Sequence, residues 1–200
     1  MMRAAERLFA RDGPENVTTR AIVEASGQKN ESALQYHFGS RQGLIREIHN
    51  YWGEKIAKKR AAIITEMSTP APLRDIVVMM FTPGFTLATE DPDYRCYVKA
   101  FGQETVLSAL PAITRVPAPE GANRLVEVLR KTLPHLSDDN LNQRIDWAIR
   151  LAAISMAQLA NRKNAFRGEE ARLAYHRTID AMVGILGADV SGETQEPERQ

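Results

Sequence analysis

Apolar side chains recur at helical spacing along most of the chain, and the breaks between these stretches fall at Gly, Pro, Ser and Asp. Residues 1–12 place Met1, Ala4, Ala5, Leu8 and Phe9 on one stripe, with Arg3, Glu6, Arg7 and Asp12 off it. Gly13-Pro14 ends this first helix, because proline cannot continue the hydrogen-bond ladder. A second helix is expected from about 18 to 25, with Thr18 as its N-cap and Ile22, Val23 and Ala25 inward. Gly27 permits a turn into a third helix at about 30–38, capped by Asn30. Ala33, Leu34 and Phe38 form the inner side of that helix, and Glu31, Ser32, Gln35 and Tyr36 the outer side. Gly39-Ser40 closes it and caps a long helix from 41 to 64. Leu44, Ile45, Ile48, Trp52, Ile56, Ile63 and Ile64 make its apolar stripe; Lys55, Lys58, Lys59 and Arg60 lie on its other face, read as a solvated helix face.

The composition changes at the turn cluster 68–72, after which helical spacing resumes from 73 to about 89, with Pro83-Gly84 expected to kink or break it. Asp91-Pro92-Asp93 opens another helix, which carries Tyr94, Tyr97, Val98, Phe101, Val106 and Leu107. A proline-rich loop at 111–119 precedes a helix at about 120–133 with Leu125, Val128 and Leu129 inward. Ser137, Asp138 and Asp139 cap and charge the start of the longest apolar-periodic run, in which Ala148, Ala152, Ala153 and Ala160 allow close approach of helix axes. A turn near Arg167-Gly168 leads to a last helix with Leu173, His176, Ile179, Met182, Val183 and Leu186 on its stripe. Residues 191–200 hold no apolar side chain and are expected to be a disordered tail. The fold class is therefore all-α, with a head at 1–45 and a body at 46–190.

Two short helices joined by a glycine-containing turn, as in residues 18–38, read as a helix-turn-helix, whose second helix enters the major groove of DNA. Charge does not contradict this but restricts it. The chain has 26 Lys and Arg against 25 Asp and Glu, so DNA binding must rest on a local patch and not on net charge. One cysteine, Cys96, excludes an internal disulfide framework and suits a reducing cytosol. No apolar run has the length of a membrane helix, and the first residues lack the apolar core of a signal peptide, so a cytoplasmic protein with no membrane partner is expected. Glycine-rich phosphate loops, nucleophile elbows and paired metal ligands are missing, so no catalytic residue, metal or cofactor is assigned.

The stretches LFARDG, TTRAIVEASG, ALQYHF and SRQGL bring Phe9, Gly13, Thr18, Ile22, Gly27, Leu34, Tyr36, His37, Phe38, Ser40 and Leu44 into fixed order and spacing. In this the first quarter of the chain resembles the TetR family of transcriptional regulators. It departs from the family pattern in three places. The turn before Tyr36 is one residue longer, within Gln28-Lys29-Asn30; the first helix begins at residue 1, so the basic arm of many relatives is either absent or lies upstream of it; and Gly43 stands where an acidic residue often completes the capping box.

The resemblance implies a homodimer that holds a double-stranded DNA operator and releases it when a small, mostly apolar effector binds the body, most simply as a repressor. A constitutive DNA-binding or ligand-sequestering protein is the alternative. Thr18, Thr19, Ser32, Tyr36 and Arg41 are candidates for phosphate contacts, and Lys29, Gln35 and Ser32 for base edges. Met79, Phe81, Phe85, Tyr94, Tyr97, Phe101 and Trp147 either line an effector cavity or make plain core. Ile145, Ile149, Ala152, Met156, Ile179, Val183 and Leu186 either pair two copies into a four-helix bundle or complete one protomer's core.

Overall fold

The computed structural model describes residues 1–30, 32–64, 71–107 and 122–195. All regular structure among them is helical: α1 Met2–Asp12, a 3-10 turn Pro14–Asn16, α2 Thr19–Ala25, α3 Ser32–Phe38, α4 Arg41–Ile64, α5 Leu73–Glu90, α6 Pro92–Leu107, α7 Ala122–Thr132, α8 Asp138–Ala160, α9 Gly168–Gly187 and the short α10 Gly192–Gln195. The start of the expected disordered tail thus forms one helical turn. Glu31, the proline-rich 111–119 stretch and the side chains of Ile64, Val106 and Leu107 lie outside the described residues.

Local chemistry sets most of the helix starts. Thr18 Oγ1 accepts from Ala21 N at 3.2 Å, Asn30 Oδ1 from Ser32 N at 2.9 Å, Ser40 Oγ from Gly43 N at 3.0 Å and Ser137 Oγ from Asn140 N at 3.3 Å. Asp91 Oδ1 takes Asp93 N at 2.9 Å and Tyr94 N at 3.4 Å, with Pro92 as the first residue of α6. Helix α5 passes through Pro83 without a break. Its flanks are held by α4, α6, α7 and α9, and that packing outweighs the one backbone hydrogen bond that proline removes.

Gly43 has a steric reason. A Cβ on it would run into the Phe38 carbonyl oxygen, so the residue lets α3 and α4 meet at a closed angle. Gly43→Ala is expected to lower stability by about 1–2 kcal/mol, the overpacking cost exceeding the helix propensity that alanine adds. Urea unfolding would check this, and a more stable variant would refute it.

In the head, Phe9, Val17, Ile22, Val23, Leu34 and Leu44 form a closed core. Ala25, expected inward, is exposed, because the buried side of α2 is that of Ile22 and Val23 and the helix ends at Ala25. Head and body are joined where α1 packs along α6 and the buried stripe of α4 continues through Ile48 to Trp52. That stripe stops early: Ile63 is exposed.

The body is built from α6 against α8, α8 against α9, and α9 against α5. Gly102 of α6 lies so close to α8 that a Cβ would sit 2.7 Å from Ala157 Cβ, so small residues of α8 serve the packing of α6. Arg144, nearly buried, donates from Nη1 to the carbonyls of Leu186 (3.0 Å) and Ala188 and from Nη2 to Asp189 (3.3 Å), closing the C-terminal end of α9. Ser155 Oγ and Thr178 Oγ1 join the same hairpin at 2.6 Å. Leu173 and His176, expected on the inner stripe of α9, are exposed because the buried side of that helix follows Ala171, Thr178, Ile179, Met182 and Leu186.

Candidate nucleic-acid interface

The turn between α2 and α3 is made by Gly27, whose φ of 73° is available to glycine without steric cost. It leaves α3 with Leu34 buried beneath it and its opposite side free. Ser32, Gln35 and Tyr36 have the i, i+3, i+4 spacing of one helical face and are all exposed, as is Lys29 in the turn. Tyr36 is 83% exposed, unusual for an aromatic ring that a folded core could have taken. His37 packs edge-on against it, with ring centroids 5.1 Å apart, and is also exposed, although its place beside Phe38 gave no sequence signal of a surface role. At the start of α2 the Thr18 side chain is exposed and Thr19 is half-buried.

Arg41 is placed differently from expectation. Its Nη2 donates to the Pro14 carbonyl and its guanidinium lies 5.4 Å from the centre of the Phe9 ring. The side chain therefore clamps the start of α4 to the turn after α1, and that internal role competes with a phosphate contact. Other cations of the head are also engaged: Arg11 pairs with Asp12 at 2.7 Å and Arg20 with Glu24 at 2.9 Å. What faces outward on α3 is mostly neutral hydroxyl, amide and ring.

The basic row on α4 is only in part the solvated face expected, with Lys58 exposed and Lys55 and Lys59 engaged. Lys55 Nζ lies 3.3 Å from Asp91 and Lys59 Nζ 2.8 Å from Glu90, tying α4 to the end of α5 and start of α6. Burial depresses the Arg60 guanidinium below its usual range, with Tyr94 acting in the opposite direction.

Glu6, read as lying off the apolar stripe of α1, is fully buried. Its carboxylate accepts from Trp52 Nε1 and, at 2.7 Å, from Arg3 Nη1. Arg3 in turn reaches Asp93 of α6 at 3.4 Å and stacks over the rings of Tyr51 and Trp52, 4.4 Å from each centre. Burial pushes the Glu6 carboxyl up, against the hydrogen bonds from Trp52 and Arg3 that pull it down. Nothing in the local sequence announces this, because the Trp52 partner is 46 positions away.

The candidate effector residues separate. Met79, Phe81, Tyr94 and Phe101 are buried among their neighbours, and Tyr97 bonds His49 Nδ1 through its hydroxyl at 3.0 Å. The aromatic middle is thus largely core, in which Trp52, Tyr94, Tyr97, Phe101 and Phe9 interlock at 4.9–6.1 Å between ring centres. Trp147 is 51% exposed and points away from that core. Phe85 alone of the seven lines an open groove of about 380 Å³ between α5, α9 and the turn before α9. Cys96 is half-buried, and burial raises its thiol.

Of the candidate pairing residues, Ile145, Met156, Ile179 and Leu186 are buried inside one protomer, and Ile149, Ala152 and Val183 pack partly against the same core. The stripe that carries them is spent on the monomer. The large apolar side chains that remain exposed on α8 and α9 are Trp147, Ile154 and Leu173.

Two short helices, a glycine turn, a buried Leu34 and an exposed outer face on α3 define a helix-turn-helix DNA-binding head. Residues 1–48 match the family described as bacterial regulatory proteins, tetR family. The chain therefore carries the head of a TetR-family regulator, and its class is that of a DNA-binding transcriptional regulator. No curated protein matches the chain. No described helix is long and apolar enough to cross a membrane.

Proposed function

We propose that the protein is a homodimeric repressor that acts in the cytoplasm, holds a double-stranded operator through two α3 helices, and releases it when a small molecule binds the body. The exposed face of Ser32, Gln35 and Tyr36 on a helix otherwise anchored by Leu34 carries the DNA-binding part of this reading. Seven basic residues (Arg3, Arg7, Arg11, Arg20, Lys29, Arg41, Arg46) meet six acidic ones (Glu6, Asp12, Glu15, Glu24, Glu31, Glu47) in residues 1–50, and several of these are paired internally. One head would bind weakly, so the reading requires two. A dimer would set its recognition helices about 34–36 Å apart, one turn of DNA.

Pairing is assigned to the outer side of the α8–α9 hairpin. Trp147, Leu151 and Ile154 follow i, i+4, i+7 spacing on α8, and exposed Leu173, Ala181 and Gly184 lie on α9. Switching would work through the body. An effector shifts the operator equilibrium only by its difference in affinity between the two states, and the rigid α1–α6 and α4 contacts would carry that difference to the head.

A mobility-shift titration against DNA flanking the gene is expected to show tight binding that weakens steeply with salt. Tyr36→Ala is expected to weaken it about tenfold or more, a loss of about 1–3 kcal/mol, with no change in thermal unfolding. Absence of operator binding by the full-length chain would remove the DNA reading, and an unchanged affinity in the variant would remove Tyr36 from it.

The filled aromatic middle favours a second reading, a DNA-binding protein without switching. A ligand that raises the melting temperature yet leaves operator affinity unchanged would support it.

A further inference from the structure

The groove between α5 and the start of α9 combines three features absent from the closed core. Its wall is aromatic: Phe85 lies 5.6 Å from Phe166 and 4.8 Å from Tyr175 between ring centres. Two of its polar atoms are already satisfied, because Thr82 Oγ1 and Tyr175 Oη hydrogen-bond each other at 2.6 Å. A ligand's buried part therefore need not supply a hydrogen bond there, and an apolar ring fits that wall best.

The third feature is charge. Arg172 and His176 line the groove, and the stretch 162–177 carries Arg162, Lys163, Arg167, Arg172 and Arg177 against Glu169 and Glu170. Glu169 holds Arg172 through Nε at 2.8 Å and Nη2 at 2.5 Å, which fixes the plane of the guanidinium and leaves Nη1 outside that pair. Arg162 is tied to Glu170. Both carboxylates are thus matched by an arginine, and Lys163 and Arg167 add positive charge beyond those two pairs. Such an edge complements an anion.

Phe166 adds an independent sign. It is the non-glycine residue with positive φ, 59°, among the described residues, and its ring is 3% exposed. A bulky side chain in the left-handed region is strained, and strain of this kind gathers where a site shapes a ligand. Here the unusual backbone turns the ring to face Phe85.

We propose that this groove binds a small planar aromatic anion, its ring against Phe85, Phe166 and Tyr175 and its charge at Arg172 and His176. The volume of about 380 Å³ is near the lower end for ligand sites and suits one or two fused rings. The proposal names the effector class for the ligand-responsive regulator above and rests on that reading for its consequence, although binding itself is separable from it.

The probe is 1-naphthoate, titrated by calorimetry into the full-length protein, with 1-naphthamide and cyclohexanecarboxylate as controls. Saturable binding is expected, weakened about tenfold by Arg172→Gln and about tenfold or more by Thr86→Trp, which fills the groove from α5. Both controls are expected to bind more weakly, one for lack of charge and the other for lack of an aromatic face. Circular dichroism would confirm that the variants fold; Arg172, on the surface, serves if Thr86→Trp does not. No binding of 1-naphthoate at millimolar concentration, or equal affinity in wild type and Arg172→Gln, would overturn the proposal. Operator titration with and without 1-naphthoate separates the two readings: groove binding that leaves operator affinity unchanged defeats the switch and upholds the site.

Discussion

Trp147→Asp combined with Ile154→Asp is expected to make the protein monomeric and to lower operator affinity by about 100-fold or more. Both side chains are exposed in the single protomer, at 51% and 37%, so the folded monomer loses almost nothing when they change. Surface substitutions of this kind ordinarily move stability by less than about 0.5 kcal/mol. In a twofold bundle the same positions lie near the axis, where each carboxylate would meet its symmetry mate and be desolvated. An aromatic anchor at the centre of an interface is where truncation costs most. The loss of affinity follows from linkage: two tethered heads gain about 10²–10⁴ over one, and a monomer forfeits that factor. Sedimentation equilibrium and mobility shift would be run on the same samples. A double variant that still sediments as a dimer would show that pairing uses another surface, and a monomeric variant with full operator affinity would show that pairing is not needed.

Pairing through these two residues, as proposed, would also account for an interface that periodicity does not point to. A helix that serves both a protomer core and a dimer has two apolar faces, and periodicity reports the more apolar one. On α8 that face is Leu141, Ile145, Ala148, Met156 and Leu159, all buried within one chain. Trp147 and Ile154 lie on the opposite side, where they interrupt the pattern and look like exceptions to it. The same bias led from an aromatic-rich stretch to a cavity. Tyr94, Tyr97 and Phe101 fill the space between α1, α4 and α6, and the open groove lies against other residues of α5 and α9.

What could be read correctly was mostly local. Thr18, Asn30, Ser40, Asp91 and Ser137 cap helices within three residues of themselves, and that chemistry is written into adjacent positions. The outer face of α3 was legible because Leu34 fixes which side is buried. Arg41 and Glu6 were not. Their partners lie 27 and 46 positions away, and only the closed fold brings Pro14 to one and Trp52 to the other.

The Glu6–Trp52 contact should carry the largest single contribution to head–body stability. Trp52→Ala is expected to cost about 3–5 kcal/mol, since it empties a fully buried aromatic site. Trp52→Phe is more diagnostic. It retains most of the packing and removes the Nε1–H donor, leaving a buried carboxylate with Arg3 as its remaining bonded partner. A loss of about 2 kcal/mol is expected from that change. The pH dependence has a definite sign. Burial is the main influence on Glu6 and raises its carboxyl above the ordinary range, with neighbouring Asp93 acting in the same direction and Trp52 and Arg3 opposing. Between the unfolded and the raised folded value the native state binds more protons than the unfolded chain, so stability falls as pH rises through that window. Asp91 acts oppositely. Burial pushes it up, but bonds from Lys55 and the N–H groups of Asp93 and Tyr94 outweigh that and hold it low, so its contribution is lost only in stronger acid. Urea unfolding of wild type and Glu6→Gln from pH 4 to 8 isolates the first group. The difference between the two curves should shift in favour of Glu6→Gln as pH rises through that window and level off above it, and a constant difference would mean that Glu6 titrates alike in the folded and unfolded chain.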